Sequence, residues 1–120
     1  MFANRTFRAA GAPLVVAGLM WQLACGELPD PIQIRQRALV VENQTSTAWG
    51  NVEVWVNDHY RVTRSRMARG ERFAIPFDTF VAGFGQRFDP SRQHLTGVEI
   101  TATGEDGRPV KLVWGTGRRR

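Results

Sequence analysis

The chain has 120 residues, room for one small domain and not for two. Its 42% of hydrophobic residues exclude a disordered chain, and its 12 glycines and 6 prolines, set among short β-branched and aromatic runs, favour strands and turns. The formal net charge is +5, yet Arg5 and Arg8 lie near the start and Arg118, Arg119 and Arg120 close the chain. Without those five, 11 cations face 11 carboxylates, so the body is neutral and a nucleic-acid-binding surface is not expected.

Residues 1–8 carry two arginines and no acid, residues 9–24 are apolar apart from Gln22, and polar sequence begins at Glu27. A positive start, a short apolar run and small residues at its end describe a secretory signal. The run is about 16 residues, short of the ~20 that a spanning helix needs. Cys25 is the sole cysteine, so no intramolecular disulfide can form and a thiolate zinc site would lack partners.

The residues Gln22, Leu23, Ala24 and Cys25 resemble the lipobox of bacterial lipoproteins, with Gln22 where that family usually has Leu and Leu23 one place later. The resemblance implies that residues 1–24 are removed and that the Cys25 sulfur receives a diacylglyceryl group. A membrane partner is then reached through a lipid anchor in the cell envelope, in the outer membrane if the source has one. The same residues also fit ordinary cleavage after Gly26, which would release a secreted soluble module, or an uncleaved anchor.

Residues 25–31, with Pro29 and Pro31, read as a lipidated Cys and a short stiff tether. The residues from 26 to 31 span at most about 20 Å when extended. Residues 32–115 read as the domain and 116–120 as a basic tail. Ile32 and Ile34 alternate with polar residues, and Ala38, Leu39, Val40 and Val41 form a buried-looking run. Residues 44–50 read as a polar loop containing Trp49. Residues 51–57 are the clearest strand, with Val52, Val54 and Val56 on one face and Glu53 and Trp55 on the other. A turn at 57–59 leads into a returning strand, 60–66, and a turn at 69–71 into another, 72–76. After an irregular stretch, residues 98–102 alternate again, and Glu105, Asp106 and Gly107 turn the chain into 110–114. Six to eight short antiparallel strands without a convincing helix predict an all-β fold, a small β-sandwich. Residues 40–43, 51–57 and 80–90 give the body a pattern-level resemblance to an uncharacterised bacterial sandwich domain of fibronectin or immunoglobulin type. That implies a fold and no activity.

Each candidate site has a structural reading beside its functional one. Phe77, Phe80, Phe84 and Phe88 are spaced by 3, 4 and 4, but Gly83 and Gly85 argue against a helix. They plug an open end of the sandwich, or the Gly83-Phe84-Gly85 loop presents Phe84 to a ligand or bilayer. Trp55 stands opposite the valine face, covering sheet surface under an arginine or forming a partner-binding platform with Trp49 and Tyr60. Arg61, Arg64, Arg66, Arg69 and Arg72 include Arg64 and Arg66 on one face. They guard an edge strand or meet anionic lipid head groups. His59 and His94 read as surface residues, and a metal-dependent enzyme using them is the alternative from another class. No cofactor, metal-ligand spacing or catalytic motif is expected. The reading as a whole is a non-enzymatic envelope module whose partner is another envelope protein or the envelope itself.

Overall fold

The computed structural model describes residues 28–116, so Cys25, the leader, residues 26 and 27 and the three terminal arginines lie outside the described residues. Alternation builds the central strand. In β3 (Trp49–Val56), Val52, Val54 and Val56 are fully buried while Glu53 and Trp55 turn to the opposite face. β4 (Tyr60–Met67) returns antiparallel to it, with Val62 opposite Val54 and Tyr60 opposite Val56. β6 (Gly97–Gly104) lines the other flank of β3 and β7 (Pro109–Gly115) pairs with β6, giving the order β4-β3-β6-β7. β1 (Ile32–Ile34), β2 (Ala38–Glu42) and β5 (Arg72–Pro76) form a second sheet in the order β1-β2-β5. All pairings of these strands are antiparallel, and one 3-10 turn, Phe77–Thr79, follows β5. The chain is a small all-β sandwich with seven strands among the described residues.

Leu39, Val41 and Ile75 from the three-stranded sheet meet Val52, Val54, Val98 and Ile100 from the other in one core. Trp49 belongs to that core at 1% exposure, which corrects the expectation of a loop residue in an exposed platform. The correction has a local cause. Asn51 adopts φ 50° and the β3–β6 register slips between Gly50 and Glu53, so an extra residue returns Trp49 and Val52 to the same side.

Two asparagines lock the ends. Asn43 is fully buried; its Nδ2 donates to the carbonyls of Thr47, Met67 and Ala68, and its Oδ1 accepts from Thr45 N and Oγ1. It therefore ties the end of β2 to the end of β4 in the opposite sheet. At the other end Asn57, at φ 49°, donates to His94 O (2.7 Å) and accepts from Thr96 N (2.7 Å), closing the β3–β4 turn onto the approach to β6.

Candidate functional site

Two residues ahead of β1 are hydrogen-bonded to the sandwich: Gln44 Nε2 donates to Pro29 O (2.6 Å), and Glu42 N donates to Pro31 O (2.8 Å). Pro29 and Pro31 lie at the Asn43 end of the sandwich. The β3–β4 turn and the phenylalanine-rich segment lie at the other end, where Phe77 N donates to Arg37 O (3.0 Å).

The phenylalanine pattern divides between its two readings. Phe77, Phe80 and Phe88 are buried and plug the end of the sandwich, with ring centroids 6.4 Å apart for Phe77–Phe80 and 5.8 Å for Phe77–Phe88. Tyr60 is buried edge-on to Phe88 at 5.3 Å, and its hydroxyl accepts from Gln93 Nε2 (2.8 Å), so it too is part of the plug. Phe84 alone of the four is out in solvent, 81% exposed. It sits at the tip of a tight turn in which Gly85 N donates to Ala82 O (2.9 Å), and Gly85 takes φ 90°, a conformation suited to glycine. Val81 secures this hairpin by bridging both Arg87 and Arg61 of β4.

Beside the hairpin, the outer face of the four-stranded sheet carries a cleft of about 400 Å³ lined by Trp55, His59, Arg61, Thr63, Val81, Ala82 and Gly83. Strand alternation supplies its floor: Trp55 of β3 and Arg61 of β4 are cross-strand neighbours on the same outer face. The Arg61 guanidinium carbon lies 5.3 Å from the Trp55 ring centroid, and the indole N–H donates to Glu53 Oε1 (3.0 Å). Further along the face, Glu99 is only 1% exposed although it points away from the core; it lies opposite Trp55 in register, and Lys111 Nζ is 3.7 Å from its Oε1. A second cleft of about 300 Å³ shares His59, Ala82 and Gly83 and adds Tyr60 and Phe84. The result is a shallow groove with an aromatic floor, the Arg61 guanidinium, the His59 imidazole and the Thr63 hydroxyl.

The remaining candidates fall elsewhere. Arg64 is ion-paired to Glu71 and lies over the Phe73 ring at 4.5 Å, covering the side of the sandwich where β4 and β5 meet. Glu71 is consequently held below the usual carboxylate range, first by the Ala68 N–H that its Oε1 accepts (2.8 Å) and then by Arg64 and Arg66. Arg66 is exposed opposite Gly50, which the bulge turns to the side away from Val52, the partner of Arg64, so the two arginines do not share the face that alternation predicts, and Arg66 does not line the Trp55 cleft. His59 lines the cleft and His94 offers its backbone carbonyl to Asn57. Among the described residues no three His, Cys, Asp or Glu side chains gather into a metal-binding group, and no helix is long and apolar enough to cross a membrane. Asn43 and Asn57 were not singled out by residue type or spacing; the only signal was an Asn beside a turn at each strand end. Comparison of the chain with protein-family models, curated proteins and solved structures finds no match.

Proposed function

We propose that this protein is a non-enzymatic cell-envelope lipoprotein whose sandwich binds another envelope protein through the outer face of the four-stranded sheet. The observation that carries the binding surface is the cleft beside the Val81–Arg87 bridge, where Trp55, under the Arg61 guanidinium, forms an aromatic floor outside the core. Interface hot spots draw on tryptophan, tyrosine and arginine in such settings. The lipobox-like residues ending at Cys25 supply the anchor in this reading. With only three residues of sequence between Cys25 and Pro29, this reading keeps the Asn43 end near the bilayer, with the groove toward the far end of the domain.

The test is cross-linking in intact cells from a photoreactive residue at Thr63, in the cleft, and from one at Ser46, in the Asn43-end loop. A discrete adduct from position 63, absent from position 46 and lost with Trp55→Ala, is the expected result. Equal labelling at both positions, or no adduct at either, would refute the binding surface.

A further inference from the structure

The four edge strands of the two sheets are guarded unequally. β4 carries Arg61, Arg64 and Arg66, and the Val81 bridge already occupies its outer backbone at Arg61. β1 is three residues long, and β5 ends in a proline. These are the devices by which sheets resist edge-to-edge pairing. β7 is different: seven residues long, with one charge, Lys111, inside it, and Val113 standing 50% exposed. The Lys111 ammonium is drawn toward Glu99 on the sheet face.

The hydrogen-bond phase of β7 is fixed by its two ends. Gly104 N donates to Arg108 O (2.9 Å) and Thr116 N donates to Thr96 O (3.1 Å). With the register Ala102↔Val110, Ile100↔Leu112 and Val98↔Trp114, alternation aims the backbone of Val110, Leu112 and Trp114 at β6. The N–H and C=O of Lys111 and Val113 therefore point to the open side, where no strand of the described residues pairs with them. Asp30, Pro31 and Ile32 border this side from the other sheet without pairing, leaving a notch of about 130 Å³ against Leu112, Val113 and Trp114.

We propose that this edge is covered by a second copy of the chain, β7 pairing antiparallel with its twin about a two-fold axis at Leu112. In that register each Lys111 faces the twin's Val113, and their four outward N–H groups find four outward carbonyls. Pro109, with no N–H, falls outside the central ladder and loses nothing. The contact is isologous and closes on itself, and the guarded β4 at the far edge of each sheet stops growth at two copies. The inference is independent of the anchor and of the Trp55 cleft.

Sedimentation and amide hydrogen exchange on the chain from Gly26, which contains every described strand and the core, test it. The expected result is a discrete, concentration-dependent dimer in which the Lys111 and Val113 amides are protected, and a monomer on dilution in which only Val110, Leu112 and Trp114 stay protected in β7. Val113→Pro removes an N–H that β6 does not use, so it should weaken association by more than about tenfold while the fold is retained. Should that variant fail to fold, Val113→Lys reads the same point. A monomer at every concentration, an open-ended aggregate, or a dimer indifferent to both variants would overturn the proposal.

Discussion

Replacing Asn43 by alanine removes a buried side chain that joins the end of β2 to the end of β4 across the two sheets. Its Nδ2 lies 2.9 Å from Thr47 O, 3.3 Å from Met67 O and 3.2 Å from Ala68 O, and its Oδ1 holds Thr45 N at 3.0 Å and Thr45 Oγ1 at 2.6 Å. Two N–H groups cannot serve three acceptors fully, so about four bonds are lost, each worth about 1 kcal/mol net. Alanine restores none of them, and Thr45, which also accepts the Trp49 indole N–H at 3.0 Å, loses its own support. The expected cost is about 3–4 kcal/mol, or roughly 15–25 °C in the thermal midpoint of a domain this size. Asn43→Asp keeps the shape but supplies no donor and turns a carboxylate toward three carbonyls, so near neutral pH it should cost at least as much. Thermal and urea unfolding followed by tryptophan fluorescence give both numbers. A midpoint shift of less than about 5 °C for Asn43→Ala would mean that the sandwich ends are held by other contacts, and the clamp reasoning would fail.

Other perturbations separate the parts of the structure. Phe80→Ala opens the buried plug and should cost about 3–5 kcal/mol, whereas Phe84→Ser should stay within about 0.5 kcal/mol in the same unfolding assay; similar costs would contradict the division of the four phenylalanines. Gly115 takes φ 70°, and a Cβ there would clash with the Thr96 carbonyl, so Gly115→Ala should lower the midpoint measurably, while Gly70→Ala, with open space around it, should suffer only its φ penalty. The Glu71 carboxyl is held below its ordinary value near 4.5, so its contribution to stability is full above that pH and fades as pH falls through the lowered value. Glu71→Gln should flatten this part of the acid limb of a stability-versus-pH curve; an unchanged limb would assign the acid sensitivity to other carboxylates.

Much of the architecture was legible because period-two alternation survives in the central strands. The Val52, Val54, Val56 series set both the strand and its buried face, and the turns at Asn57 and Gly107 fell where turn residues cluster. What escaped was whatever broke the period. The bulge at Asn51 hid the first residues of β3 and made a core tryptophan look like a loop residue. The phenylalanine spacing identified a cluster but could not say which member stayed outside, because that depends on the Val81 hairpin lifting Phe84 away from the plug. Strict alternation puts Arg64 and Arg66 on one face, but they stand opposite Val52 and Gly50, which the bulge turns to opposite sides. Only the fold brings both the Glu71 carboxylate and the Phe73 ring to the Arg64 guanidinium. Trp55 was legible as an outer-face ring under an arginine, and the cleft beside it was not, since its wall comes from residues 81–83, far away in sequence.

The proposed lipid anchor is tested by the intact mass of the protein extracted from its native membranes, beside that of a Cys25→Ser variant. The expected result is a mature chain beginning at Cys25 with added lipid mass, and its loss from the membrane fraction in the variant. An unmodified chain beginning at Glu27 in the soluble fraction would contradict the anchored lipoprotein.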